Sequence, residues 1–255
     1  MTPVPHLKLK RPKSLLYYRM RCQSPVTSTT FEIEKALKHL IEVDPAIAKL
    51  VEDVQTPIPF RGPLPEGDNT PYEHLARAII YQQLSGKAAG TIWGRFKEQF
   101  PPGSLSPEEV LAKPAAEMRA AGVSERKASY LKDLSSKFTN GEIDANNLDA
   151  LSDDDISKKL IVVKGIGQWT IDMFLMFYLR RPNVLPTLDL GVRKGIAKHF
   201  NVPSGQLEKA KSAHEQMVKL TEKWIPYRTL GSWYMWQLLD LNKVEPVKKK
   251  QKSKK

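Results

Sequence analysis

The stretch Leu160-Ile161-Val162-Val163-Lys164-Gly165-Ile166-Gly167-Gln168-Trp169-Thr170-Ile171-Asp172-Met173-Phe174 places two glycines one residue apart between apolar segments of helical periodicity. Glycines in that arrangement predict a tight turn with left-handed backbone angles, reversing the chain between two helices. The amides of such a turn, at the N-terminus of the following helix, form a cradle for a phosphate without any side-chain charge. The same pattern also describes an ordinary helical hairpin closed by glycine, and a bare G-x-G does not separate the two. A second chemical candidate lies in Leu185-Pro186-Thr187-Leu188-Asp189-Leu190-Gly191-Val192-Arg193, where Asp189 stands 22 positions after Gly167. A carboxylate can stabilise a developing positive charge and orient or deprotonate water. Taken alone, however, an aspartate that opens a helix is first of all an N-cap.

Positioning these groups falls to helices. From Phe31 onward apolar residues recur at helical spacing, as in Ile33, Leu37, Leu40 and Ile41, and the pattern hardly changes along the chain. Ser106-Pro107-Glu108-Glu109 supplies an N-cap, a first-position proline and a capping-box glutamate, while Ser124 and Ser152 precede further helical stretches. The main irregular segment runs from Thr56 to Pro71, is dense in Pro and Gly, and connects an N-terminal helical pair to the rest. No paired runs of period-2 alternation predict a sheet, and no repeat of solenoid length is present. The expected architecture is all-α, one compact unit over residues 28–243 with a hairpin at about 160–178.

Composition narrows the function. The 255 residues, 41% hydrophobic and 27% charged, are those of a soluble globular protein. No apolar run approaches the roughly 18 to 20 residues that span a bilayer, and the N-terminus lacks a secretory apolar core, so an intracellular protein without membrane partners is expected. Cys22 is the sole cysteine, which excludes an intramolecular disulfide, a cysteine-caged zinc and an iron–sulfur cluster. The net charge of +12 resembles a nucleic-acid signature, but twelve of the 40 basic residues lie in 1–22 and 248–255, leaving 28 Lys and Arg against 28 Asp and Glu between them. DNA binding by the body therefore cannot rest on net charge. The basic segments 1–27 and 244–255 read as disordered tails, or as a nuclear address or DNA-tethering arm; the first also fits an organellar presequence.

The surroundings of the two glycines carry a resemblance. LxxVKGIGxWT followed by an apolar helix, with Asp189 at its distance, resembles the helix-hairpin-helix (HhH-GPD) superfamily of DNA glycosylases. The segments Arg77 to Trp93 (RAIIYQQLSGKAAGTIW) and Trp224 to Asp240 (WIPYRTLGSWYMWQLLD) are similar to the 3-methyladenine DNA glycosylases II of bacteria and fungi. The blocks extend from about residue 30 to 243.

That resemblance implies a two-lobed helical fold with the active site in the cleft between lobes. Asp189 would be the catalytic carboxylate, placed beside the oxocarbenium-like sugar of a breaking N-glycosidic bond. Bifunctional members carry a nucleophilic lysine two residues after the second hairpin glycine; Trp169 stands there, which implies hydrolysis to an abasic site without a Schiff base. The flipped base would be gripped by Trp169, Trp236, Tyr234 and Met173, whose other reading is core packing. Gly165 and Gly167, with Lys164 and Gln168, would meet phosphates, and Gln83, Leu84 and Ser85 would supply the wedge that fills the vacated stack. Ser85 is small where some fungal relatives carry histidine, and it also reads as an N-cap.

The resemblance implies no cofactor and no catalytic metal, only a monovalent cation at the hairpin carbonyls. It implies a monomer acting on double-stranded DNA with alkylated purines such as 3-methyladenine and 7-methylguanine. The compartment would be the nucleus in a eukaryote or the cytoplasm in a bacterium. Three other readings stay open: a glycosylase for deaminated or oxidised bases, a non-catalytic damage binder that keeps the hairpin, and a sequence-specific helical DNA binder. Asp153, Asp154, Asp155 and Asp172 read as structural.

Overall fold

Serine and threonine side chains set where many of the helices begin. The computed structural model describes residues 32–61, 64, 70–101, 103, 105–203, 205–207 and 210–241; the basic segments 1–27 and 244–255 lie outside them. Thr70 caps α3 (Pro71–Tyr81) and Ser85 caps α4 (Gly86–Lys97). Ser106 and Glu109 close the expected capping box on α5 (Pro107–Ala112). After the short α6 (Ala115–Ala120), Ser124 caps α7 (Glu125–Thr139) and Ser152 caps α8 (Asp153–Leu160). Each cap satisfies an amide that the first helical turn leaves without a partner. The acidic run Asp153 to Asp155 occupies the first turn of α8, where it complements the helix dipole.

Before these helices come α1 (Ile33–Val43) and α2 (Pro45–Asp53); after them come α9 (Gln168–Met173), which continues as a π-helical turn over Phe174–Tyr178, then α10 (Leu190–His199), α11 (Ala210–Leu220) and α12 (Arg228–Leu241). No strand occurs among the described residues. The chain builds two lobes. Helices α1 and α2 pack on α12, which also lies along α10, whereas α3, α5 and α6 gather on α7. Helix α8 docks on α9, and the π-helical turn reaches α3. From α1 onward the path thus runs in one lobe, builds the other, and returns through the hairpin between α8 and α9.

The expected inner face of α1 is partly shifted. Ile33 and Leu40 are buried together with Ala36, Leu37 is half-buried against them, and Ile41 is exposed. In the connector that begins at Thr56, Phe60 is buried and stacks on Phe177 with ring centroids 5.5 Å apart, while Arg180 Nη1 donates to the Phe60 carbonyl. Pro71 opens α3 rather than ending the loop.

One buried carboxylate fastens the first lobe. Asp44, between α1 and α2, is 2% exposed, and its Oδ2 accepts hydrogen bonds from His199 Nε2 (2.8 Å), Trp224 Nε1 (2.8 Å) and Lys223 Nζ (3.1 Å). Burial alone pushes this carboxyl up, but the donors from His199, Trp224 and Lys223 outweigh it and hold it well below the usual carboxylate range. A group depressed in this way contributes stability above its unfolded pKa and loses it as pH falls. Asp44→Ala is expected to lower unfolding stability at pH 7 by about 3 to 5 kcal/mol, because it strands buried donors. Denaturant titration at pH 7 and again near pH 3.5 checks this: the difference between wild type and variant shrinks at the lower pH.

Candidate active site

The two hairpin glycines are required for different reasons. Gly165 has φ +82°, and a Cβ there would stand 2.1 Å from the Tyr130 ring, so both conformation and space exclude a side chain. Gly167 has φ −113° and ψ 174°, extended backbone open to any residue, and an added Cβ would meet nothing within 4 Å. Nothing among the described residues calls for glycine at 167. The open space faces outward at the start of α9, where no side chain caps the helix. Among the described residues the amides of Gly165, Gly167, Gln168 and Trp169 donate no backbone hydrogen bond outside helices. A phosphate fits such a surface. The amide of Lys164 is already taken by Asp133 Oδ2 at 2.8 Å, and its exposed ammonium pairs with the other oxygen, Asp133 Oδ1, at 3.9 Å.

Asp189 sits at the start of α10 and is both a cap and more than a cap. Its Oδ1 accepts from the Val192 amide and from Trp236 Nε1, each at 2.8 Å, and its Oδ2 accepts from Trp169 Nε1 at 2.9 Å. Two successive tight turns lead into it, with Thr187 N bonded to Leu185 O and Asp189 N to Pro186 O. Thr187 Oγ1 is also bonded to His214 Nδ1. No Lys, Arg or His pairs with Asp189 among the described residues. A carboxylate fixed by three N–H donors but matched with no cation is arranged to meet a positive charge that arrives from outside.

The two indoles that fix Asp189 also supply the aromatic surface of the cleft. Trp169 is 44% exposed. Trp236 stacks on Phe177 at 6.0 Å, and Phe177 in turn on Phe60. Gly191 makes the Trp236 contact possible: a Cβ there would lie 2.7 Å from the indole ring and 3.0 Å from Asp189 Oδ1. Met173 is buried in the core. Tyr234 does not join the group expected for it. Two positions from Trp236 on α12 is about 200° round the helix, and Tyr234 turns into the core, edge-on to Trp233. Leu188 and Leu190, exposed on either side of Asp189, carried no sequence signal beyond their position.

The expected wedge residues form the turn between α3 and α4. Gln83, Leu84 and Ser85 are exposed, and Gln83 adopts φ +58°, a conformation that is uncommon without glycine. Ser85 Oγ accepts from the Ala88 amide, so it serves as the N-cap of α4. Gln82 Nε2 reaches the Gly165 carbonyl at 2.7 Å, tying this turn to the hairpin.

Asp172 was expected to be structural; the structure places it beside the catalytic candidate. It is 6% exposed, and its Oδ1 accepts from Gln168 Nε2 at 2.8 Å, which commits the Gln168 amide inward. Burial raises its pKa, the Gln168 hydrogen bond lowers it, and the charge of Asp189 raises it again, leaving it pushed up to about 7. The site therefore holds a second carboxyl, buried and turned inward on Gln168.

The family model described as HhH-GPD superfamily base excision DNA repair protein matches residues 76–225, and the chain belongs to this superfamily. It is similar to DNA-3-methyladenine glycosylase 1 of Schizosaccharomyces pombe, with 34% identity over 232 residues that cover 88% of this chain and 94% of the relative. Its fold is similar to that of the S. pombe 3-methyladenine DNA glycosylase solved in complex with abasic DNA, with a TM-score of 0.66 and 34% identity over 80% of this chain and 95% of the other. A DNA-3-methyladenine glycosidase from Bacillus halodurans matches with a TM-score of 0.66 and 29% identity, covering 82% and 95% of the two chains. The all-α architecture expected from the hairpin resemblance is the one observed.

The raised Asp172 gives a signed expectation. Between about pH 4 and pH 7 the folded protein holds a proton that the unfolded chain has released, so stability from this group falls as pH rises through that window and is flat above it. Asp172→Asn keeps the acceptor for Gln168 and removes the titration. Thermal melts are expected to show the variant more stable than wild type at pH 8, by up to roughly 4 kcal/mol, with the advantage gone at pH 4.

Proposed function

We propose that the protein is a monofunctional DNA glycosylase that hydrolyses the N-glycosidic bond of alkylated purines, such as 3-methyladenine and 7-methylguanine, and leaves an abasic site. The observation that carries this reading is the Asp189 carboxylate, held by two indole N–H groups and one amide, with no cation paired to it among the described residues.

The target base must leave the stack to be reached. With the duplex held by the amides of Gly165 and Gly167 and the exposed turn at Gln83 and Leu84 in the vacated space, the extruded base enters beside Trp169 and Trp236. Alkylation at N3 or N7 makes the purine cationic, and electron-rich indoles favour it through cation–π attraction. The bond electrons leave with a base that is already positive, so no strong general acid is needed. The Asp189 carboxylate stabilises the cationic sugar and orients the water that adds to C1′, whose proton is then lost to solvent or to a carboxyl. Trp169 stands where bifunctional relatives carry lysine, so no amine is available at that position for a Schiff base and strand cleavage. DNA of undefined sequence is the partner, because the hairpin amides address phosphates rather than base edges. The hairpin carbonyls of Ile161, Val162, Lys164 and Ile166 accept no backbone hydrogen bond outside helices among the described residues, and oxygens of this kind are what a monovalent cation at the hairpin would take.

Base release from methylated duplex by wild type and by Asp189→Asn tests the reading, because asparagine keeps the cap acceptor and removes the charge. Release by wild type, strand breaks only after alkali, and a loss of at least about a hundredfold in the variant are expected. Base loss confined to deaminated or oxidised substrates would move the assignment to another lesion, and DNA binding without release by wild type would make the protein a non-catalytic binder. Gly167→Ala separately tests the phosphate cradle. Its melting temperature is expected to match wild type while duplex affinity falls about fivefold or more in a binding titration, because the new methyl occupies the space a phosphate would fill.

A further inference from the structure

We propose that one flank of α7 is a spine that holds the wedge turn and the phosphate hairpin at a fixed separation, with Lys127 as its principal positioning residue. The assignment rests on the reading above, in which one of these loops enters the base stack while the other grips the backbone.

Lys127, Tyr130 and Asp133 follow at intervals of three on α7 and so share one side of the helix. Lys127 Nζ donates to the carbonyls of Ile80 (2.7 Å) and Gln82 (2.8 Å), the last acceptors at the end of α3, where a cation is also favoured by the helix dipole. Burial and then the neighbouring Arg126 lower the pKa of Lys127. Three residues on, the Tyr130 ring occupies the space that glycine leaves open at 165. Another three residues on, Asp133 accepts the Lys164 amide at 2.8 Å. The circuit closes directly, because Gln82, whose carbonyl Lys127 holds, sends its own amide to the Gly165 carbonyl at 2.7 Å.

Five contacts, four of them through α7 and one direct, thus join two exposed loops whose sequences lie about eighty residues apart. Between them Gln83 is kept at φ +58°, a conformation that a non-glycine residue holds only when its surroundings over-determine it. Lys127 supplies two of those constraints. Without them the turn is free to relax, and the wedge loses its register with the hairpin. A flipped base is then delivered off line from Asp189, and displacements of about 1 Å cost reaction rate steeply. A lesion that is already unpaired needs no wedge.

That difference is the test. Single-turnover base release is measured for wild type, Lys127→Met and Gln82→Met on an alkylated purine paired in duplex, and on the same purine in a mismatched bubble. A fluorescent base analogue beside the lesion reports unstacking independently of chemistry. Both variants are expected to lose about tenfold or more on the paired substrate, to stay within about twofold of wild type in the bubble, and to show a reduced unstacking signal while melting cooperatively above the assay temperature. Equal losses on both substrates, or no loss on either, would overturn the spine while leaving the glycosylase reading intact. Wild-type protein that releases base from neither substrate would instead remove the glycosylase reading, and this assignment with it.

Discussion

Three N–H groups from three helical segments converge on the Asp189 carboxylate: an amide of α10, the indole of Trp169 on α9 and the indole of Trp236 on α12. Each hydrogen bond has a direction, so a carboxylate that satisfies all three is fixed in position and in rotation. The same bonds fix the two indole rings, which cannot swing without giving up a charge-assisted acceptor. The aromatic walls and the anionic floor of the cleft are therefore one unit. The stack of Trp236, Phe177 and Phe60 carries that rigidity back into the body. The tight turns between Leu185 and Asp189 bring the carboxylate to the meeting point of the lobes.

A body with equal numbers of acidic and basic residues binds a polyanion only if something other than net charge attracts phosphate. Backbone amides at the start of a helix do so with fixed partial charges that need no side chain to be ordered. The two glycines divide the labour. Gly165 turns the chain and accommodates Tyr130, while Gly167 leaves the outside clear. Contacts of this kind recognise the geometry of a backbone rather than a sequence of bases, which is what a protein must do when its target is a lesion that can occur anywhere.

Much of the helical plan was legible because its signals are local. Ser106 with Glu109, Ser124 and Ser152 act within three residues of themselves, and each begins a helix where the sequence says it should. The hairpin was legible for the same reason. Asp189 was half legible: its capping role follows from position, whereas its two indole partners are 20 and 47 residues away, and the family resemblance named those rings only as walls for the base, not as donors to the carboxylate. What stayed hidden is held by distance. The donors to Asp44 come from 155 and 180 residues along the chain, and no periodicity announces them. Asp172 becomes an inward, buried carboxyl only once α9 is docked. Tyr234 was misplaced because an aromatic-rich helix shows apolar character on every side, so the sequence does not say which ring faces the cleft.

Asp189 Oδ1 caps α10 and at the same time belongs to the charge that faces the cleft. Selection for a folded chain and selection for chemistry therefore act on one atom. A descendant that gave up base removal would still be held to this aspartate, or to a close substitute, by the first turn of its helix. Trp169 is under no such double constraint: its ring is largely outside the core and its indole serves Oδ2 alone. In a lineage drifting away from catalysis the tryptophan would be the first to change, and its loss would mark the change of role sooner than any loss of the carboxylate.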